Sequence, residues 1–182
     1  WDPLSSAMYY GDGDQEFATF SGALDVVAHE LTHGVTQYTW NGIYEGESGA
    51  LNEAFSDVMG TGAEFFHQAA GAGRLQADWF LGEDLAFRFE PPRTAVRSME
   101  NPALFCSASL GQCDPDHYSR RYRGTADGGG VHHNSGIANQ AFYLLAEGGR
   151  NRTSGRRVEG LGAGGRERAE RIFYRGFTAY LT

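Results

Sequence analysis

The sequence predicts an α+β fold, mainly helical, with β elements confined to the N-terminal end, one helix at the floor of a cleft and a helical C-terminal lobe. Three observations predict it. Apolar residues recur at three- and four-residue spacing in several long segments. Aromatic and polar residues alternate over the first twenty positions, and a long middle stretch shows no periodicity.

The elements follow in chain order. Tyr9-Tyr10-Gly11-Asp12-Gly13-Asp14 carries a turn signal, and its flanks read as a β-hairpin or short strands. Leu24, Val27, Ala28, Leu31 and Val35 set a helical pattern over residues 21–39, with Gly42 just beyond its end. A second helix is expected from Ser48, a candidate N-cap, towards His67, with Leu51, Ala54, Phe55, Val58 and Met59 as its apolar face. Residues 71–130 are rich in Gly, Pro, Asp and Arg, too long for an idle loop in a compact domain and so expected to be ordered around function or ions. A third helix follows Asn134-Ser135 and stops at Gly148-Gly149. Residues 150–165 read as an exposed basic connection, and residues 166–181 as a last helix carrying Ile172, Phe173, Phe177 and Tyr180.

At 182 residues the chain can bury a real core in one domain, or in two lobes sharing a cleft. A formal net charge of −8 argues against nucleic acid, which calls for clustered positive charge. No apolar run reaches the length of a membrane span, so no membrane partner is expected. Trp1-Asp2-Pro3 has neither the basic nor the apolar region of a signal peptide, so the chain reads as a mature or truncated product. Cys106 and Cys113 lie in one loop-like stretch; a disulfide between them is favoured over two free thiols, and neither has a CxxC partner for zinc.

The decisive segment is His29-Glu30-Leu31-Thr32-His33. Residues four apart share a helical face, so both imidazoles can reach one metal ion, and Glu30 points beside the metal, where it can take a proton from a water. Two histidines could merely pack at a helix surface. The second helix weakens that reading: Glu53 and Asp57 also lie four apart, among the apolar Ala50, Ala54 and Phe55. A carboxylate from there completes two-histidine, one-carboxylate zinc coordination, and Asp57 can accept a hydrogen bond from the far nitrogen of a ligating histidine.

Together with Val26 to Thr36, the segments Glu47 to Asp57, Asp114-Pro115-Asp116-His117-Tyr118 and Gly129-Gly130-Val131-His132-His133-Asn134-Ser135-Gly136 resemble, in order and over nearly the whole chain, the thermolysin-like neutral metalloproteases. The resemblance implies zinc ligands His29, His33 and Glu53, a water-polarising carboxylate Glu30, and Asp57 and Asn52 as partners that orient the histidines. It implies His132 and Tyr44 as donors to the developing oxyanion, Asp127 as the residue that orients His132, and Arg97 as a contact to a substrate carbonyl. From the residues alone His133 is as good a candidate as His132, while His67 and His117 read as ordinary packing or surface residues.

The resemblance further implies a calcium site at Asp25, Glu64, Asp78 and Glu83, oxygen ligands suited to a hard cation. A second site after Glu83 is not expected, because Phe87 to Thr94 does not keep the pattern. Phe17, Phe20, Val26 and Val96 fall where the family builds the pocket after the scissile bond. Two insertions depart from the family pattern, one between Glu64 and Asp78 and one carrying Cys106 and Cys113. Residues 1–40 read as the end of an N-terminal lobe with the HExxH helix. Residues 41–182 read as a C-terminal lobe lacking the final helices, so that apolar surface is left exposed.

The implied function is a secreted zinc endopeptidase, helped by calcium, that acts on protein or peptide substrates before large hydrophobic residues. The oligomeric state is left open. A non-catalytic metal module needs neither Glu30 nor His132. An exopeptidase needs a charged pocket for a peptide terminus, and Gly46-Glu47-Ser48-Gly49 lacks the spacing of a serine nucleophile elbow. Asn151-Arg152-Thr153 matches a glycosylation acceptor.

Overall fold

A computed structural model describes residues 1–14, 17–85 and 95–181. Four helices carry the fold: α1 (Leu24–Thr39), α2 (Gly46–His67), α3 (Ala126–Glu147) and α4 (Gly165–Ala179). α2 lies at the centre and packs against the other three. Three two-stranded antiparallel ribbons decorate this frame: β1 (Phe80–Leu81) with β2 (Arg97–Ser98), β3 (Cys106–Ser107) with β4 (Gln112–Cys113), and β5 (Gly148–Arg150) with β6 (Arg157–Glu159).

The β content therefore sits elsewhere than expected. Among residues 1–14 the backbone forms only the isolated Asp2–Ala7 bridge. The Gly-Asp-Gly-Asp turn does form, with Gly13 at φ 83°, and closes through Asp14 N to Phe17 O at 2.9 Å and Phe20 N to Gly11 O at 3.0 Å. These bonds close a single loop, and the described residues beside it offer no ladder to extend it. In residues 148–159 the expected bare connection is a ribbon pairing Gly148 with Glu159 and Arg150 with Arg157.

The helices also differ in detail. α1 buries a polar face, Asp25, His29, Thr32 and Thr36 with Gly34, while Leu31 from the apolar stripe is 53% exposed. α2 begins at Gly46 rather than Ser48, whose hydroxyl donates back to the carbonyls of Ile43 and Glu45. α3 begins at Ala126 but is interrupted at once: Asp127, Gly128, Gly129 and Gly130 all have positive φ, and regular helix resumes at Val131. Three glycines in that run make four consecutive left-handed residues affordable.

The core gathers Val58, Met99, Phe142, Ala146 and Ala169, all buried, and Phe55 stacks on Phe177 with centroids 4.6 Å apart. Gly60 fixes how closely α1 meets α2. A Cβ there would stand 2.5 Å from the carbonyl oxygen of Asp25, so only glycine lets the two backbones cross at that point. Ile172 and Tyr174 of α4 are exposed, as is Tyr180 just past its end. Cys106 and Cys113 are joined by a disulfide. Asn151 is buried, its amide nitrogen donating to Asp116 O at 2.8 Å and its oxygen accepting from Ser154 N at 2.7 Å, so it is a structural residue and not a glycan acceptor.

Candidate metal centre

His29 and His33, one turn apart on α1, meet Glu53 of α2. Their donor atoms form a triangle: His29 Nε2 to His33 Nε2 is 3.0 Å, His29 Nε2 to Glu53 Oε2 is 3.4 Å, and His33 Nε2 to Glu53 Oε1 is 3.3 Å. Two donors on a tetrahedral zinc with bonds of about 2.0–2.1 Å lie about 3.3–3.4 Å apart, so the triangle has the size that ion requires. Glu53 Oε2 is buried with no aligned hydrogen-bond donor, a group that a cation would satisfy.

The far sides of both imidazoles are held. His29 Nδ1 lies 2.7 Å from Asp57 Oδ1, and His33 Nδ1 lies 2.9 Å from Asn52 Oδ1. These contacts direct both Nε2 atoms at the same point. Burial works against a charged His29, but Asp57 and Glu53 outweigh it and hold its pKa at about 9. Burial also opposes ionisation of Glu53, yet the two histidines keep its carboxyl well below the ordinary range.

Asp57 does more than orient His29. It accepts Arg97 Nε at 2.8 Å and Nη2 at 2.7 Å, and Asn139 Nδ2 at 2.7 Å. Burial is again overcome, by Arg97 first and then His29, and its pKa stands at about 2. Arg97 is correspondingly held above its ordinary value by Asp57 against burial. Asn139 was missed because nothing in a helix sequence singles out a buried amide.

Glu30 and His132 line the same cavity of about 450 Å³ as the three donors, with Tyr44 and Asn52. The left-handed run before Val131 presents His132 at the rim: its Nδ1 is 2.7 Å from Asp127 Oδ1, its backbone N donates to Asp127 Oδ2 at 3.0 Å, and its Nε2 lies 3.5 Å from Glu53 Oε2. Tyr44 donates its hydroxyl to Glu53 Oε1 and stands 3.4 Å from His132 Nε2. Burial, then the Glu53 charge, pushes its pKa up, so the phenol keeps its proton.

The structure separates the two neighbouring histidines. His133 is 3% exposed, with Nδ1 2.6 Å from Asp114 and Nε2 2.8 Å from Gln112. His117 pairs with Ser119, and His67 packs on Phe66. Val26 and Val96 flank Gly82, and Phe17 stands 5.5 Å from Phe20; Val96 lines a second cavity beside His132, while Phe17, Phe20 and Val26 line neither.

Glu64, in the last turns of α2, and Glu83 and Asp84 beyond it offer carboxylate oxygens within 4.8 Å of one another. Both oxygens of Glu64 and of Glu83, and Oδ2 of Asp84, are buried with no donor facing them. Burial, then mutual repulsion with Glu83 and Asp25, pushes Glu64 up to about 10. Burial and Asp25 push Glu83 up to about 8, and burial pushes Asp25 up to about 6. Asp78 is raised by burial as well. Asp25 accepts the backbone N–H groups of Val26 and Gly82, and Asp78 that of Phe80. Asp84, which accepts Leu75 N at 2.9 Å from the first insertion, was missed because residues 71–95 have no periodicity to mark a buried acid. The segment from Phe87 to Thr94 lies outside the described residues.

Two imidazoles and a carboxylate on crossing helices thus converge on one point, beside a second carboxylate and a rim imidazole. Residues 41–182 match the family profile of the thermolysin metallopeptidase alpha-helical domain, and residues 1–37 that of the thermolysin metallopeptidase catalytic domain. The chain belongs to the thermolysin metallopeptidase family. It is 50% identical over 180 residues to the thermostable neutral protease NprT of Geobacillus stearothermophilus, covering 97% of this chain and 29% of that protein. It is 48% identical over 178 residues to neutral protease B of Bacillus subtilis (strain 168), covering 96% of this chain and 28% of that protein. The precursor of protealysin, a metalloproteinase from Serratia proteamaculans, superposes with a TM-score of 0.72 at 37% identity, over 94% of this chain and 49% of that one. The chain thus spans less than a third of these curated relatives.

Proposed function

We propose that this chain carries the catalytic centre of a zinc-dependent endopeptidase that hydrolyses internal peptide bonds of protein or peptide substrates. The observation that carries this reading is the triangle of His29, His33 and Glu53 donors opening on a cavity that Glu30 and His132 also line. A zinc ion held by those three residues would supply Lewis acidity to the scissile carbonyl and lower the pKa of an attacking water. Glu30 receives the proton of that water and passes it to the leaving amine. His132 Nε2, steadied through Nδ1 by Asp127, and the Tyr44 hydroxyl donate to the oxygen on which negative charge develops. Arg97, anchored by Asp57, borders the same region and contacts a substrate carbonyl.

The acidic cluster of Glu64, Glu83 and Asp84, bordered by Asp25 and Asp78, holds calcium: buried carboxylates without donors need a hard cation to stay ionised. Val96 and Val26, which flank Gly82, and Phe17 with Phe20 are the apolar side chains that favour a large hydrophobic residue after the scissile bond. Residues 1–40 and 41–182 are the two lobes that meet at the cleft. No helix among the described residues is long and apolar enough to cross a membrane. The disulfide, the calcium site and the bacterial neutral proteases among the relatives support secretion.

The test is cleavage of an internally quenched peptide with Leu after the scissile bond, by wild type and by Glu30→Ala, with bound zinc quantified in both. Cleavage by wild type that falls at least 100-fold in the variant with zinc retained supports the reading. Zinc binding without cleavage in wild type would make the chain a metal-binding module, and a folded chain without zinc would overturn the ligand assignment.

A further inference from the structure

The insertion between Arg97 and Asp114 is a ribbon whose strands β3 and β4 pair Cys106 with Cys113 and Ser107 with Gln112, closed by the disulfide. The ribbon is fastened to α3 through His133. Gln112 Nε2 meets His133 Nε2 at 2.8 Å, and Asp114, just past the ribbon, meets His133 Nδ1 at 2.6 Å. His133 is buried and adjoins His132 in sequence, so the ribbon's position is set by the same turn of α3 that aims His132.

Between the ribbon and the metal centre lies an open cavity of about 330 Å³. His132, Asp127, Arg97 and Val96 line it from one side, and Leu110 and Ser109 line it from the ribbon. His132 also borders the cavity that holds Glu30 and the metal ligands, so the two spaces adjoin across one side chain. The volume is at the small end for ligand sites, which run to roughly 300–1,000 Å³, and suits one residue's side chain rather than a length of peptide. Its charges are already matched: Arg97 is paired with Asp57, Asp127 with His132 and Asp114 with His133. The aliphatic surface it offers a ligand comes from Leu110 and Val96, set among the paired charged groups and the hydroxyls of Ser107 and Ser109.

We propose that the disulfide-closed ribbon is a specificity element: with Val96, Leu110 forms a subsite on the His132 side of the metal centre that takes one aliphatic side chain of the substrate. This deepens the endopeptidase reading and rests on it for the identity of the ligand. The disulfide keeps an eight-residue excursion in one conformation, so that the wall is in place before substrate arrives.

The test separates the two readings by measuring binding rather than turnover. The zinc-loaded Glu30→Gln chain is titrated with fluorescent decapeptides in which each position in turn is Leu or Gly. One position should show about tenfold tighter binding for Leu, the scale of a few buried methylenes. Adding Leu110→Ala should bring that ratio to about twofold and leave the ratios at other positions unchanged. Cys106→Ser/Cys113→Ser should do the same, with zinc content retained. Equal weakening of all peptides, unchanged ratios at every position, or no peptide binding would each overturn the subsite. If the ratios respond as expected but the chain with Glu30 intact cleaves none of the peptides, the subsite stands and the endopeptidase reading fails.

Discussion

Changing Asp57 to Asn alters one atom type at the point where three parts of the centre meet. Asp57 is fully buried and faces His29 Nδ1 at 2.7 Å, the Arg97 guanidinium at 2.7 and 2.8 Å, and Asn139 Nδ2 at 2.7 Å. Asparagine keeps the shape but replaces one acceptor oxygen by a donor, so at least one of these contacts becomes donor against donor. Arg97, whose side chain is only 12% exposed, loses its counter-charge. Breaking a buried ion pair by removing one partner costs about 3–5 kcal/mol. For a chain of this size each kcal/mol is worth about 2–4 °C in Tm, so the expected fall is roughly 6–20 °C. Zinc affinity should drop about 10- to 100-fold, because His29 loses the group that fixes its ring. Thermal unfolding followed by near-UV circular dichroism and zinc competition against a chelator measure the two effects. Arg97→Leu on top of Asp57→Asn should recover part of the Tm loss but none of the zinc affinity, since it removes the stranded charge and leaves His29 unsupported. A Tm within 2 °C of wild type, with unchanged zinc affinity, would refute the view that Asp57 ties ligand, arginine and helix together.

Two other predictions follow from the same geometry. His132→Gln should lower kcat about 100- to 1,000-fold with zinc content unchanged, as removal of one oxyanion donor does elsewhere; an unchanged kcat would remove His132 from the mechanism. In the calcium-free protein, Glu64, Glu83 and Asp25 hold protons at about 10, 8 and 6, above their unfolded values, so the folded state binds more protons than the unfolded one. Their stabilising contribution is therefore complete below about pH 4 and is lost as pH rises through 6, 8 and 10, and Tm without calcium should fall from pH 5 to pH 9. Calcium at 100 times its Kd should restore about 2.7 kcal/mol at pH 8, roughly 5–10 °C, and much less at pH 5, where protons compete. A Tm that ignores both pH and calcium would refute the assignment, and Glu64→Gln should abolish the calcium response.

The pairing of His29 with His33 and of Glu53 with Asp57 was legible because helical geometry converts spacing directly into a shared face. The helix order was legible for the same reason. What could not be read were features set by chain crossings. Burial of the polar face of α1, with Leu31 turned to solvent, depends on what α2 presents to it, and sequence periodicity carries no sign of that. The choice of His132 over His133 depends on the left-handed run Asp127 to Gly130, which rotates one histidine to the rim and the other into contact with Asp114 and Gln112. Asp84 and the ribbons come from a stretch whose order is tertiary, where loops are fixed by buried carboxylates, a disulfide and two-residue ladders rather than by local propensity.

The two acidic and histidine sites are also mechanically one. α1 supplies Asp25 and His29 one turn apart, and α2 supplies Glu53, Asp57 and Glu64 along a single helix. The helices cross in close contact at Gly60, between Asp57 and Glu64 in sequence, against the backbone of Asp25. Once pH rises far enough to ionise Glu83 and then Glu64 beside Asp25, their repulsion pushes at one end of this contact, while the His29–Glu53 and His29–Asp57 contacts draw the helices together at the other. A cation that neutralises the acidic end removes the force that would pry α1 from α2. Calcium is therefore expected to tighten zinc binding even though no carboxylate of the cluster touches His29, His33 or Glu53 as a ligand of the same ion.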